Sequence, residues 1–161
     1  MILIIKEMDR KSAEEISRWK YEAPYNIYSM DGSEECLEEL LDGSFYLVRN
    51  EDDNIVGFYC FKEAAKVPAG NLYRAYEDKS FIDIGLGMNP ELCGKGHGFK
   101  FVASEVKFAK ALFGTEKFRL TVAEFNERAI KLYEKIGFKK VMEFNRTNNN
   151  GTMRFNVMEL S

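Results

Sequence analysis

The sequence predicts a single α/β domain, residues 1–161, built around one mixed sheet. Strand-like apolar runs alternate with stretches of helical periodicity from one end to the other, in the order β-α-α-β-β-β-α-β-α-β-β. No internal repeat and no linker-like composition interrupts that order. A chain of 161 residues with 45% hydrophobic content, thirteen Phe and eight Tyr has ample material for one core.

Met1–Met8 reads as a strand, and Ser12 as the cap of a helix through about Lys20, with Glu15 completing a capping box. Tyr21–Met30 is aromatic, contains Pro24 and reads as a loop or broken helix. Ser33–Leu41 is a short helix closed by Asp42-Gly43. Ser44–Arg49 and Ile55–Lys62 flank a polar turn and predict a hairpin. Residues 63–79 lack periodicity and read as an irregular excursion before the strand Phe81–Met88. From Gly96 to about Phe113, Phe101, Val102, Val106, Ala109, Leu112 and Phe113 recur at helical spacing, and Gly114 ends this longest helix. Phe118–Ala123 is a strand, Asn126–Ile136 a helix running from an Asn cap to Gly137, and Phe138–Arg146 a strand. Asn149-Asn150-Gly151 turns the chain into Met153–Leu160.

No apolar run approaches the roughly 18 residues of a membrane span, and the first residues lack the pattern of a leader. The expectation is a soluble, cytoplasmic protein with no membrane partner. Cys36, Cys60 and Cys93 form no CxxC pair, which predicts reduced thiols and no metal site. Six basic and eleven acidic side chains lie in residues 1–50, four and eight in 51–92, and thirteen and seven in 93–161. The segments therefore carry −5, −4 and +6, an asymmetry that fits an anion at the C-terminal part and a cation at the N-terminal part. No basic run is dense or aromatic enough for nucleic acid.

The most informative stretch runs from Phe81 to Gly98, where a strand ends, a turn crowded with glycine (Cys93-Gly94-Lys95-Gly96-His97-Gly98) follows and the longest helix begins. Free N–H groups at a helix start, with no side chains in the way, cradle phosphate oxygens. Lys95 is not placed for a Walker loop, and the glycine spacing does not fit a dinucleotide fingerprint. A purely structural turn is the alternative.

A second motif follows the strand Arg119–Ala123: Asn126-Glu127-Arg128-Ala129-Ile130-Lys131-Leu132-Tyr133-Glu134-Lys135-Ile136-Gly137-Phe138. The two motifs together closely resemble the GNAT superfamily of acetyltransferases, in which (Arg/Gln)-Gly-x-Gly-x-Gly/Ala opens a helix and Asn-x-x-Ala-x-x-x-Tyr-x-x-x-Gly-Phe follows a strand. The resemblance covers residues 81–138 and implies a mixed, mostly antiparallel sheet of about seven strands flanked by about four helices. It implies an N-acetyltransferase that uses acetyl-CoA, takes a small-molecule or peptide amine as acceptor and is compatible with a homodimer.

By the same resemblance, backbone amides of Gly94, Lys95, Gly96, His97, Gly98 and Phe99 hold the CoA pyrophosphate, and the strand through Leu86 and Met88 pairs with the pantetheine arm. Gly85 and Gly87 are expected to let that strand splay from its neighbour. Asn126 contacts the arm or simply caps its helix. Where the family has Arg or Gln, this chain has Cys93, so one side-chain phosphate donor is missing.

Acetyl transfer needs a neutral amine, a stabilised oxyanion and a protonated leaving thiolate. Tyr133 matches the family's tyrosine and is the expected proton donor, against a packing role beside Ala129 and Ile136. An N–H near Met88 is the expected oxyanion donor. Asp83, a carboxylate in an apolar strand, is the expected base, with solvent exposure as the alternative and Glu124 or a water relay as rivals. His97 occupies a position that is usually aliphatic and reads as packed or exposed. Trp19, Tyr21, Tyr25 and Tyr28, beside Glu22 and Asp31, are the expected acceptor pocket for a cationic amine, against ordinary packing. A fold of this kind that senses acyl-CoA without turnover, or serves only as an interaction module, is the competing function.

Overall fold

The computed structural model describes residues 1–161. The strands are β1 (Ile4–Glu7), β2 (Phe45–Arg49), β3 (Ile55–Phe61), β4 (Ile82–Met88), β5 (Phe118–Ala123), β6 (Lys139–Asn148) and β7 (Gly151–Leu160), in the sheet order β1-β2-β3-β4-β5-β7-β6. Every neighbouring pair is antiparallel except β4 and β5. The helices are α1 (Arg10–Ser17), α2 (Glu34–Leu40), α3 (Gly98–Phe113) and α4 (Glu127–Ile136). The mixed, mostly antiparallel seven-stranded sheet and the element order agree with the sequence reading.

Local chemistry sets the ends. Helix α1 begins earlier than expected because Asp9, not Ser12, is its cap: the Asp9 carboxylate accepts the Ser12 N–H at 2.8 Å and the Ser12 hydroxyl at 3.0 Å. A carboxylate also complements the positive end of the helix dipole better than a hydroxyl. Helix α2 starts one residue later than expected because Ser33 is its cap, accepting the Cys36 N–H at 3.1 Å. Asn126 caps α4 through the Ala129 N–H at 3.2 Å. Gly114 closes α3 at φ +63°, a left-handed conformation that glycine adopts without strain. The excursion between β3 and β4 is irregular, as expected, but holds two short 3-10 turns, Lys62–Ala65 and Pro68–Tyr73.

Alternation along the strands divides the core between the two faces of the sheet. On one face Phe101, Val102, Val106 and Ala109 of α3 and Tyr133 of α4 pack with Tyr59, Ile84, Phe118, Leu120 and Val122. On the other, Ala13, Ile16, Leu37 and Leu40 from α1 and α2 cover Leu47, Phe58 and Cys60. Beside them, Ala75 and Tyr76 from the excursion cover Phe144, Phe155 and Val157.

Candidate active site

Strands β4 and β5 pair at two positions only, Ile82 with Phe118 and Asp83 with Arg119. Beyond them β4 pairs with β3 alone and β5 with β7 alone, so the sheet opens between them. Parity decides what the opening exposes. The Ile82 N–H donates toward β5, to Lys117 O at 3.0 Å, whereas the Asn89 N–H donates toward β3, to Val56 O at 2.8 Å. Alternate residues point their backbone groups to alternate sides, so Leu86 and Met88 turn theirs into the opening. The Met88 carbonyl accepts the Tyr21 hydroxyl at 2.6 Å.

The glycine-rich turn follows β4 directly. No backbone N–H from Gly94 to Lys100 donates a hydrogen bond within the chain. Such a run of free donors at the start of a 16-residue helix has the chemistry to hold an anion. Two of its glycines have separate reasons. Gly96 has φ +84° with open space where a Cβ would stand. At Gly98 a Cβ would lie 2.8 Å from Leu132, so its absence lets α4 pack against the first turn of α3.

The glycines of β4 do something other than what the sequence reading assigned. The β3–β4 register is unbroken, and a Cβ on Gly87 would meet the Phe58 ring at 2.3 Å, one on Gly85 the Cys60 sulfur at 2.7 Å. They make room for β3 side chains on the α1/α2 face. The opening arises where β4 and β5 stop pairing.

Asp83 is 3% and Arg119 1% exposed, and the guanidinium holds both carboxylate oxygens, at 2.9 and 2.7 Å. The expectation of Asp83 as base is corrected here. Its proton-accepting atoms are both engaged, and it joins β4 to β5 at the root of the opening. Arg119 also donates to Asp78 O at 3.1 Å and lies under the Tyr76 ring. Two opposite charges in two apolar strands were the sequence signal for this pair. Glu124, the rival, is a half-exposed partner of Arg154 at 3.8 Å.

Tyr133 is buried on α4, edge-on to Phe138, and its hydroxyl takes part in no hydrogen bond within the chain. Burial raises its pKa above the ordinary 10, with smaller contributions from Glu105 and Tyr28, which keeps the phenol protonated at neutral pH. The Asn126 side-chain amide donates to the Tyr28 hydroxyl at 3.3 Å while its carbonyl caps α4, so Asn126 both caps and faces the aromatic segment 21–28.

Residues 21–28 bridge the mouth of the opening. Tyr21 is bonded to the end of β4, while Tyr25 and Tyr28 lie 5.8 and 6.3 Å from Phe125, just past β5. The structure thus brings Tyr21, Tyr25 and Tyr28 together around the opening. Trp19 stays apart: half-buried, it packs against the α1/α2 cluster. His97 points elsewhere too, bordering a crevice lined by Met1, Leu3, Val56, Lys100 and Phe101. Cys93 has its thiol pKa raised by burial and contacts the Met88 and Asn89 carbonyls at 3.8 and 3.6 Å, a packing role.

Two residues escaped the sequence reading. Glu105 is fully buried on α3, and neither carboxylate oxygen has a hydrogen-bond partner. Burial raises its pKa well above the ordinary 4.5. Its spacing between Phe101 and Ala109, on the apolar stripe, was the available signal. Arg128, on the first turn of α4, reaches the glycine-rich turn.

Among solved structures, the chain is similar to a chimera of the spermidine N-acetyltransferase SpeG from Vibrio cholerae and hSSAT, at 19% identity over 99% of this chain and 95% of that one, with a TM-score of 0.76. It is also similar to an acetyltransferase of the GNAT family from Bacillus anthracis, at 15% identity over 99% and 94% of the two chains, with a TM-score of 0.75. At these identities the likeness is one of fold. No curated protein matches the chain. The family model described as Acetyltransferase (GNAT) family matches residues 10–138, a span that takes in the opening between β4 and β5, the glycine-rich turn and α4, and the chain belongs to that family.

Proposed function

We propose that the protein transfers an acetyl group from acetyl-CoA to a primary amine by direct attack in a ternary complex. The observation that carries this reading is that β4, left unpaired by β5 at Leu86 and Met88, leads straight into the turn whose N–H groups from Gly94 to Lys100 are free, while Tyr133 of α4 belongs to the core cluster against which Leu86 and Met88 pack. These groups fit the co-substrate: an anion cradle for the diphosphate, a strand edge for the amide-bearing arm and a proton donor for the sulfur.

Acetyl-CoA supplies the activated thioester. As the amine nitrogen bonds to the carbonyl carbon and the carbon–sulfur bond breaks, negative charge builds first on the carbonyl oxygen and then on sulfur. The Met88 N–H is the donor for the oxygen. Tyr133 gives its proton to the thiolate, and the amine gives up its proton to water or to Glu124 at the open side, since Asp83 is committed to Arg119. Tyr21, Tyr25 and Tyr28 would border the acceptor, with the exposed Glu22 and Asp31 favouring a cation. Spermidine, named for the Vibrio cholerae enzyme of similar fold, is accordingly the first acceptor to try.

The deciding experiment is CoA release from acetyl-CoA across a panel of polyamines, amino acids and N-terminal peptides. Amine-dependent release supports the reading. Acetyl-CoA binding with no release for any amine would favour the sensor alternative, which the missing Arg or Gln at Cys93 and the commitment of Asp83 to Arg119 support.

A further inference from the structure

The CoA-binding reading leaves a charge unassigned. Arg128 extends from α4 across the mouth of the glycine-rich turn, with one terminal nitrogen 3.4 Å from where a Cβ of Gly94 would stand. Its guanidinium lies over the Tyr25 ring at 4.8 Å from the centroid, and it makes no ion pair with any carboxylate. A planar guanidinium stacks through its face and donates through its edges, so a seat on Tyr25 leaves donors free for an anion in the turn. Cys93, at the head of that turn, brings no charge of its own.

We propose that Arg128 is the side-chain phosphate donor of the CoA site, reaching it from α4, and that its stacking on Tyr25 ties phosphate binding to the order of the acceptor-side segment 21–28. This rests on the glycine-rich turn holding the CoA diphosphate. An anion held by the Arg128 edge fixes the guanidinium plane, and the fixed plane is the platform on which Tyr25 sits; Tyr25 in turn packs on Phe125. The cofactor's phosphates and the acceptor's aromatic border then share one side chain.

The test compares wild type, Arg128→Ala and Arg128→Lys by calorimetric titration with CoA and, by turnover with a working amine, S-acetylpantetheine, which lacks the phosphates. The inference expects CoA affinity to fall about ten- to hundredfold in Arg128→Ala and by less in Arg128→Lys, while the KM for S-acetylpantetheine stays at the wild-type value. Hydrogen exchange at residues 21–28 should slow on saturation with CoA in wild type and not in Arg128→Ala. CoA affinity within twofold of wild type in Arg128→Ala overturns the phosphate role, as does an equal loss with S-acetylpantetheine. Equal slowing of exchange in both proteins overturns the link to the acceptor segment. Absence of CoA binding in the wild type overturns the proposed function and this inference together, whereas wild-type binding that Arg128→Ala leaves unchanged overturns this inference alone.

Discussion

Arg119 clasps Asp83 through two charge-assisted hydrogen bonds at the last position where β4 and β5 still pair. Past that point β4 pairs with β3 alone and β5 with β7 alone, and the glycine-rich turn follows the free end of β4. The pair marks the root of the opening, with both carboxylate oxygens of Asp83 engaged.

Removing one partner of a buried pair leaves the other charge uncompensated, which costs about 3–5 kcal/mol. Asp83→Asn should therefore lower the unfolding free energy by roughly that amount, a fall in Tm of about 2–4 °C per kcal/mol for a chain of this size. Turnover below the variant's Tm should hold within a few-fold. A loss of kcat of about a hundredfold or more with unchanged stability would restore Asp83 as the base.

Tyr133→Phe keeps the ring against Phe138 and removes a hydroxyl that has no partner in the chain. Tm should barely move, because no buried group is orphaned. General acid catalysis contributes roughly 10²–10⁴ in rate, so kcat should drop by about that factor while acetyl-CoA affinity stays within a few-fold. Unchanged kcat with a true acceptor rejects the assigned role.

At Gly96 the backbone is left-handed and the side-chain space is open, so Gly96→Val acts through strain and not through a clash. Placing a β-branched residue there costs on the order of 1–2 kcal/mol or moves the turn, and either redirects the free N–H groups. Millimolar acetyl-CoA should raise the Tm of wild type by mass action and leave that of Gly96→Val unchanged. Equal stabilisation of both would place the cradle elsewhere.

Glu105 gives the protein a pH-dependent liability. Its pKa is higher folded than unfolded, so the native state holds the extra proton; the contribution is complete below the ordinary 4.5 and is lost as pH rises above it. Glu105→Leu removes the buried carboxyl and should stabilise the protein at pH 7–8 by about 1–3 kcal/mol. Urea unfolding from pH 5 to 8 should show wild type losing stability relative to Glu105→Leu. Parallel curves would mean that the carboxyl reaches solvent or a partner.

Much of this protein was legible along the chain. Period-two and helical patterns placed the seven strands and four helices, because each element must present one apolar face to the core. The cap at Asn126 and the stop at Gly114 were readable because capping is a contact over three or four residues. The two motifs disclosed the family for the same reason: a phosphate cradle is a property of consecutive backbone. What only the tertiary structure decided is which distant groups meet. Asp83 looked like a candidate base until Arg119, 36 positions on, was found holding both its oxygens. Gly85 and Gly87 looked like the source of the splay until Phe58 and Cys60 were seen to occupy the missing Cβ positions. Trp19 and Tyr21, two residues apart, went to different places, one into the α1/α2 core and one onto Met88. Sequence spacing sets which way a side chain points along its own element, but burial, pairing and charge compensation depend on the opposite wall, and that wall is assembled only when the sheet closes over its helices.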